Sequence, residues 1–287
     1  MDKKYINNRS IAVLLSSYNG EKYIAELIDS ILAQTCTDFT LYIRDDMSKD
    51  NTSKVITQYH NRYQDKIVII PSDQNLGSKK SFLHMLECVE SNYYMFSDQD
   101  DVWEKDKIKI SLINLKNVEK ENSKIPIIVH TDLQLVDGKL NHIADSYWAY
   151  CNILINCSYK FNYFCHYNDV TGCAMMFNNQ LKRVALPFLD KELPYFIHHD
   201  HYLALICIAE SGLIIPIFEK PILFRRHGDN ATNPLMKRKS IFAKPLHIIN
   251  YSIDFYKRWL FFKSIIDISL FSFIKGKLVV TYLRKVK

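Results

Sequence analysis

The sequence predicts an α/β fold in which a mainly parallel sheet is covered by helices on both faces. Short apolar runs alternate along the first 120 residues with segments whose apolar residues recur every three or four positions. Strands that alternate with helices are typical of parallel strands joined by crossover helices. The chain has 287 residues, of which 48% are hydrophobic and 13% aromatic, so it can bury a large core.

The first elements set the pattern. Residues 11–16 form an apolar run expected as a buried strand, and residues 21–33 follow with Ile24, Leu27 and Ile31 at helical spacing. The same order then repeats. We expect further strands at 39–44, 67–70 and 93–96 and further helices at 51–63 and 81–89.

After residue 120 the alternation is less regular. We expect strands at 127–136, 169–177, 213–217 and 222–225 and a core helix at 202–209 that ends before Gly212. The aromatic-rich segment 143–167 shows no clear period.

Polar loops follow three of the predicted strands: residues 17–20, 45–48 and 98–101. Ligands of open α/β sheets bind beyond the carboxyl ends of the strands, so we expect these loops to meet at one rim. The third loop carries Asp98, Asp100 and Asp101, and clustered carboxylates suit a hard divalent cation that grips nucleotide phosphates. The alternative is an acidic surface turn or a helix start capped by Asp100 or Asp101.

Cysteine usage and hydropathy restrict the class of protein. The seven cysteines are odd in number and include no C-x-x-C pair, which favours buried thiols in a reducing compartment over a disulfide framework or a zinc site. The apolar run at 11–15 is too short for a secretory signal, and Lys263 and Asp267 interrupt the most apolar stretch. We therefore expect a cytoplasmic protein without a spanning helix.

The positive charge is concentrated in the last part of the chain. Residues 235–287 hold twelve Lys or Arg against two Asp, a net charge of +10, whereas the rest of the chain carries −4. A nucleic-acid partner is therefore not implied. An amphipathic helix is predicted from the three- and four-residue spacing of Phe255, Trp259, Phe262, Ile266, Leu270 and Phe273. Its apolar face either covers the protein's own core or lies on a membrane surface, which the basic flanks favour.

Six segments, taken in order, resemble glycosyltransferase family 2, whose members use nucleotide-sugar donors and have the fold called GT-A. The matching segments are 13–21, 45–52, 75–77, 98–101, 171–172 and 199–200. Residues 97–103 and 226–232 further resemble the rhamnosyltransferase-like branch of bacterial surface-polysaccharide biosynthesis, although that branch more usually has a Trp near Tyr202. The resemblance covers residues 11–233.

The resemblance implies a division of the chain. It predicts a GT-A catalytic domain at 1–234, with a nucleotide-sugar-binding part over about 1–120 and an acceptor part over about 121–234, followed by the basic helical tail at 235–287.

The resemblance also implies roles for individual residues. Tyr18, Glu21 and Asp46 would hold the base and ribose of the donor, with simple packing of Tyr18 and a turn-forming role of Asp46 as the alternatives. The remaining residues of the implied nucleotide-sugar site are Ser17, Asn19, Asn75, Lys80, Asp98, Gly172 and Arg226. Asn75 also suits an ordinary turn, and Lys80 could simply face solvent.

The implied cofactor is Mn²⁺ or Mg²⁺, held by Asp100 and Asp101, with Asp98 the least certain ligand and His227 a further ligand or a phosphate donor. A lone histidine is more often structural. Asp200 would be the general base that removes the proton of the acceptor hydroxyl, its alternative being a helix cap. The neighbouring histidines cannot converge on one ion, because consecutive helical residues point in different directions.

The resemblance implies an inverting, metal-dependent glycosyltransferase. It would move a single sugar from dTDP-rhamnose or a UDP-hexose to a glycan acceptor linked to polyprenyl diphosphate, at the inner face of a bacterial plasma membrane. The acceptor would belong to capsule, O-antigen or cell-wall assembly. The alternatives are a catalytically silent nucleotide- or carbohydrate-binding protein on the same scaffold, and a nucleotide-transferring enzyme, for which a basic, glycine-rich loop after the first strand is missing.

Overall fold

The computed structural model describes residues 5–6, 9–155, 160–189, 197–228 and 245–286. The strands are β1 (Tyr5–Ile6), β2 (Ile11–Ser17), β3 (Phe39–Asp45), β4 (Ile67–Ile69), β5 (Val89–Glu90), β6 (Tyr93–Ser97), β7 (Val102–Trp103), β8 (Ile127–Thr131), β9 (Gln134–Asp137), β10 (His142–Ala144), β11 (Met175–Asn178), β12 (Leu213–Ile217) and β13 (Ile222–Arg226). The helices are α1 (Ile24–Leu32), α2 (Thr52–Arg62), α3 (Gly77–Cys88), α4 (Lys107–Glu119), α5 (Tyr147–Tyr150), α6 (Phe161–Phe164), α7 (Asn179–Leu189), α8 (His199–Ala209), α9 (Pro245–Lys263) and α10 (Leu270–Val286).

A seven-stranded sheet with the order β12-β8-β11-β6-β2-β3-β4 forms the centre of the fold. All neighbouring strands in it are parallel except β11, which runs antiparallel to both β6 and β8. This mixed, mainly parallel sheet confirms the predicted fold class.

Two hydrophobic clusters cover the two faces of this sheet, because side chains alternate along each strand. Ala12 and Leu14 of β2 belong to one cluster, which includes residues of α3, α7 and α8. Val13 and Leu15 belong to the other, which includes residues of α1 and α4. Burial on both faces explains why the strands are continuous apolar runs in the sequence.

A smaller sheet with the order β10-β9-β13-β7 lies next to the candidate site. Within it β13 runs parallel to β9 and antiparallel to β7, which follows directly after the Asp98–Asp101 loop. The pair β1-β5 forms a third, two-stranded sheet.

Two strand predictions are wrong in extent. The run 127–136 is split into β8 and β9, which belong to different sheets, because the Asp132 carboxylate accepts hydrogen bonds from Leu133 N (2.8 Å) and Trp148 N (3.0 Å) where the chain bends. The run 169–177 contains a 3-10 turn at Gly172–Ala174 before β11 begins.

Two helices begin earlier than predicted. Helix α3 starts at Gly77 instead of residue 81, and α8 starts at His199 instead of residue 202. The second difference is important for the site because it puts Asp200 in the first turn of α8.

The prediction of a single amphipathic helix over 255–273 is wrong. The chain leaves α9 after Lys263 and re-enters a helix at Leu270, and Trp259 Nε1 donates to Ile268 O (3.0 Å) across the break. The break brings both Phe262 and Phe273 to full burial in the same cluster as α8. Four of the six residues of the predicted apolar face therefore pack on the protein's own core, whereas Ile266 and Leu270 stay exposed.

Helix α10 lies very close to α6. A Cβ at Gly276 would come within 2.0 Å of the backbone oxygen of Asn162, so only glycine fits there without a backbone shift. His166, just after α6, donates from Nε2 to Phe273 O at 2.8 Å, which adds a second link between the two segments.

Residues 229–244 lie outside the described residues. They include Asp229, Asn230 and Thr232 of the predicted 226–232 motif, the basic residues 237–239 and the predicted domain boundary at 234. Among the helices that are described, none combines the length and hydrophobicity needed to span a membrane.

Candidate active site

Three parallel strands of the central sheet end at the same level. Ser17 of β2 pairs with Asp45 of β3, and Leu15 pairs with Ser97 of β6. The loops that follow these strands are the three that the sequence assigns to the rim. The structure therefore brings them together as predicted.

The first two loops are joined by hydrogen bonds. Asn19 N donates to Ser48 Oγ (2.9 Å), Asn19 Oδ1 accepts from Lys49 N (2.9 Å), and Gly20 N donates to Thr52 Oγ1 (2.7 Å). Glu21 Oε2 accepts from Asn51 N at 2.8 Å, so this carboxylate, predicted for the donor, also fixes the start of α2.

Gln99 links the first loop to the third. Its side-chain oxygen accepts from Tyr18 N (2.8 Å) and its amide nitrogen donates to Tyr18 O (2.9 Å). A Cβ at Gly20 would lie 2.4 Å from the same oxygen. The two hydrogen bonds from Gln99 fix the backbone of Tyr18, while the Tyr18 ring stays 42% exposed. The sequence analysis missed this role, although Gln99 lies inside the acidic segment that it singled out.

Asp46 is buried in a network of its own. Its carboxylate pairs with Arg44 and accepts from Leu76 N (2.8 Å) and Gly77 N (2.7 Å), while Asn75 Nδ2 donates to its backbone oxygen (2.7 Å). Asp46 thus positions the 75–77 turn, in which Gly77 has φ +72°. Its role toward a nucleotide base stays a prediction.

Arg44 is the residue that the sequence analysis missed here. It is 1% exposed, and besides Asp46 it donates to Ser81 Oγ (3.0 Å) and Gln74 O (2.9 Å). An arginine inside an otherwise apolar strand is the sequence signal, because a buried guanidinium needs partners.

The acidic loop forms a buried cluster with Cys173. Ligand atoms of Asp98, Asp101 and Cys173 all lie within 4.8 Å of one another. Burial, with Asp100 and Asp200 nearby, raises the pKa of Asp98 to about 7, and burial, with Asp100 and Asp98 nearby, raises the pKa of Asp101. Burial also raises the pKa of the Cys173 thiol, so it is neutral at pH 7.

The Lys107 ammonium group lies near this cluster. It is fully buried, its Nζ lies 3.3 Å from the centroid of the Trp103 ring, and burial lowers its pKa to about 7 despite the neighbouring Asp101 and Asp98. Like Cys173, it carries no signal in the sequence, because its proximity to the carboxylates exists only in the fold.

Asp100 faces the smaller sheet. His227 Nε2 lies 2.8 Å from Asp100 Oδ2, and the His227 ring packs against Tyr23 with centroids 5.0 Å apart. Arg225 fixes the backbone of the same loop, since its Nε donates to Asp100 O (2.8 Å) and its backbone N donates to Asp101 Oδ1 (3.2 Å).

Asp200 lies on the other side of the cluster. Its Oδ2 accepts from Gly172 N (3.1 Å) and its Oδ1 from His201 N (2.6 Å). A Cβ at Gly172 would lie 2.8 Å from His199 Nε2, which accounts for glycine there. His199 stacks on Phe82 (4.4 Å) and burial lowers its pKa to about 4, so it is a neutral packing residue.

The other predicted residues lie at the edges of the site. Ser17 is fully buried at the end of β2. Lys80 is exposed in the first turn of α3, and Arg226, at the end of β13, is close enough to Tyr147 and Cys151 to lower the pKa of each against the larger effect of burial.

The residues present fit a hard divalent cation. Carboxylate oxygens and one imidazole nitrogen are ligands that Mn²⁺ accepts, and a cation would relieve the mutual repulsion that raises the pKa of Asp98. Asp100 and Asp98 keep exposed surface, whereas Asp101 is 0% exposed. A cation shared with a substrate would therefore meet Asp100 and Asp98 first.

Comparison with known proteins decides the family. Residues 12–177, more than half of the chain, match the family model of glycosyl transferase family 2. The chain belongs to glycosyltransferase family 2. The matched range contains the rim loops and Gly172 and ends before Asp200 and His227.

Bacterial sugar transferases are similar to this family 2 chain. The dTDP-rhamnosyl transferase RfbG of Shigella flexneri is 39% identical over 99 residues, which are 33% of this chain and 34% of RfbG. The UDP-Glc:alpha-D-GlcNAc-diphosphoundecaprenol beta-1,3-glucosyltransferase WfgD of Escherichia coli is 24% identical over 207 residues, 71% of each chain. The match thus spans only about a third of the length of RfbG.

Solved structures agree with the GT-A fold. The S. aureus TarS 1-349 fragment in complex with UDP-GlcNAc gives a TM-score of 0.58 at 17% identity, with 94% of this chain and 70% of that chain covered. The mannosyltransferase PcManGT of Pyrobaculum calidifontis, in complex with GDP-Man and Mn²⁺, gives 0.51 at 16% identity over 78% of this chain and 58% of that one.

The raised pKa of Asp98 predicts a stability that falls with pH when divalent cations are removed. Between about 4, its ordinary value, and about 7, the folded state binds a proton that the unfolded state has lost. This contribution is complete below that range and is lost as the pH rises through about 7. Urea unfolding in EDTA from pH 5 to pH 8 measures it.

The matched variant is Asp98→Asn, which cannot take up this proton. Subtracting its profile removes the opposite contributions of buried histidines such as His199. We expect the free energy of unfolding of the unaltered chain, minus that of the variant, to fall as the pH rises. Parallel profiles of the two proteins would contradict the raised pKa of Asp98.

Proposed function

We propose that the chain is an inverting, metal-dependent glycosyltransferase that moves a single sugar from dTDP-rhamnose or a UDP-hexose to a polyprenyl-diphosphate-linked glycan. The reaction would take place at the cytoplasmic face of a bacterial membrane, in the assembly of a surface polysaccharide. Similarity to RfbG supports the first donor, and similarity to WfgD supports the lipid-linked acceptor.

One observation carries the proposal: Asp200 and the acidic loop face each other across one rim. The charge of Asp200 is close enough to raise the pKa of Asp98, and the exposed Tyr18 lies at the other end of the same rim through Gln99. A donor laid along this rim would have its base at Tyr18, its diphosphate at Asp100 and its reacting sugar near Asp200.

Asp100 and His227 would hold the Mn²⁺ or Mg²⁺ ion, with Asp98 beside them. The bound ion supplies positive charge to the leaving nucleoside diphosphate. Asp101 would have a structural role, because its Oδ1 accepts a hydrogen bond from Arg225 N and so fixes the conformation of the acidic loop.

Asp200 would remove the proton of the acceptor hydroxyl during attack on the anomeric carbon. Its two oxygens already accept backbone hydrogen bonds from Gly172 and His201, which fix the carboxylate without using up its lone pairs. Attack from the face opposite the leaving group gives inversion.

The donor can be identified by thermal shift. With Mn²⁺ present, we expect either dTDP-rhamnose or one UDP-hexose to raise the melting temperature more than the others, since only the matching sugar contacts the site. Asp100→Asn should remove the Mn²⁺-dependent part of this increase. Asp267→Asn, which removes a carboxylate that is 93% exposed, is the control. A chain stabilised by none of these donors would contradict the proposal.

Replacing Asp200 by Asn should lower kcat by at least about 10²-fold, because an amide cannot accept the acceptor proton. Donor affinity should stay unchanged, since Asp200 is assigned to the acceptor. Release of nucleotide in the presence of GlcNAc-diphosphoundecaprenol measures the rate, and calorimetry measures donor binding.

Glu210→Gln is the control for Asp200→Asn, because Glu210 is exposed at the other end of the same helix α8. Full turnover by the Asp200→Asn variant would show that Asp200 is not the general base. Donor binding without any transfer by the unaltered chain would favour the catalytically silent binding protein.

Membrane association would use a face of α10 that the core leaves exposed. Phe271 (77% exposed), Ile274, Leu278 (65%) and Tyr282 (64%) follow steps of three and four, so they form one stripe. Exposed Lys275 and Lys285 lie on the same side of the helix. An apolar stripe with lysines suits insertion at the surface of an anionic bilayer.

The double variant Phe271→Ser/Leu278→Ser should reduce flotation with anionic liposomes at least about tenfold, because two large side chains would no longer leave water. Phe218→Ser is the control, since Phe218 is also 65% exposed but follows β12. Equal flotation of the double variant and the unaltered chain would exclude this face.

A further inference from the structure

A cavity of about 360 Å³ lies between the catalytic part and the C-terminal helices. Its lining residues come from the segment after α6 (165–168), from Ile197 and His201 at the start of α8, from Asp254, Phe255 and Arg258 of α9, and from Lys277 of α10. None of the nucleotide-sugar or metal residues assigned above lines it. Its volume is in the range of small-ligand sites.

The charged groups of the cavity favour an anion. Arg258 and Lys277 bring two positive charges against the single negative charge of Asp254. Asp254 Oδ2 accepts from Arg258 Nε at 2.9 Å, which holds the guanidinium in a fixed orientation. Both partners of this pair keep about a third of their side-chain surface exposed, 34% for Arg258 and 32% for Asp254, so a ligand can reach them.

The two histidines of the cavity are neutral donors to the backbone. His166 Nε2 donates to Phe273 O (2.8 Å) and His201 Nε2 donates to Phe164 O (2.7 Å). Burial lowers the pKa of both, that of His166 to about 4, and the charges of Lys277 and Arg258 act in the same direction on His166. The positive field of the arginine and lysine therefore reaches into the cavity.

We propose that this cavity binds the diphosphate of the acceptor lipid. The assignment rests on the proposed function. A guanidinium offers paired N–H donors that match phosphate oxygens, and a lysine adds a point charge. The diphosphate of the donor is assigned to the cation held by Asp100 and His227, so the cavity is left for a second diphosphate.

The position of the cavity suits an acceptor. Asp200 lies close to the cavity-lining His201, because its Oδ1 accepts from His201 N (2.6 Å) and its charge acts on the pKa of the His201 ring against the larger effect of burial, so an acceptor held here would have its first sugar near the proposed base. Lys277 and the exposed apolar stripe belong to the same helix α10, so a lipid chain that leaves the cavity along this helix would reach the proposed membrane face.

The direct test is titration calorimetry of the full chain with inorganic diphosphate in EDTA, which removes metal-dependent binding at the donor site. We expect binding that Arg258→Ala/Lys277→Ala weakens at least tenfold. The matched control is Lys257→Ala/Lys263→Ala, which removes two exposed positive charges from α9, neither of which lines the cavity. Equal weakening by both double variants, or binding of inorganic phosphate as tight as that of diphosphate, would overturn the proposal.

Kinetics provide a second readout. With GlcNAc-diphosphoundecaprenol as acceptor, the Arg258/Lys277 variant should raise the acceptor KM at least tenfold and leave the donor KM unchanged. With octyl N-acetylglucosaminide, which lacks the diphosphate, the same variant should behave like the unaltered chain, and an equal loss on both acceptors would overturn the assignment. If the unaltered chain transfers no sugar at all, the proposed function fails, whereas the diphosphate titration still decides the subsite.

Discussion

The parallel pairing of β2 with β3 and β6 is the constraint on which the whole rim depends. Because Ser17 pairs with Asp45 and Leu15 with Ser97, the chain leaves three strands at one level, and the loops that carry Tyr18, the Asp45–Thr52 segment and the acidic cluster start side by side. A slip of one residue would turn each strand's side chains to the opposite face, which two separate apolar clusters prevent. The hydrogen bonds of Gln99 and Asn19 then join loops whose starting points the sheet has already fixed.

Arg225 connects the smaller sheet to this rim. Its guanidinium donates to Asp100 O and Gly138 O and pairs with Glu26, and it lies over the Tyr23 ring with its Cζ 4.4 Å from the centroid. A buried cation is costly without partners, and here the partners come from α1, from the acidic loop and from the turn after β9. The same side chain thus determines where β13 delivers His227, which explains how a residue over a hundred positions away in the chain meets Asp100.

Most strands and helices of the first 120 residues could be predicted, because each buries one or two faces and so carries a clear period. Helix α4 and the two-residue strands β1, β5 and β7 were not predicted, and the errors in extent arose where a single polar contact overrides the period. A hydrogen bond to the Asp132 carboxylate forms where one apolar run bends into two strands. The hydrogen bond from Trp259 to the carbonyl of Ile268 spans the break between α9 and α10, although the helical spacing of apolar residues continues through that break. At the site, the polar loops that follow the strands predicted the rim with its acidic cluster, and the family resemblance implied the role of Asp200. They did not indicate that Cys173 and Lys107 stand behind the carboxylates, since such neighbours are set by how elements pack.

The contact between Gly276 and the backbone of Asn162 bears on how such chains diversify. Two helices that meet with no side chain between them fit only each other, so α10 cannot be exchanged between relatives without the segment around α6. Phe262 and Phe273 add the same restriction for the core beneath α8. The last two helices and the aromatic segment before β11 therefore form one block, in which a change in one segment requires a matching change in the others. Recombination that brings in a new donor half would have to leave this block intact.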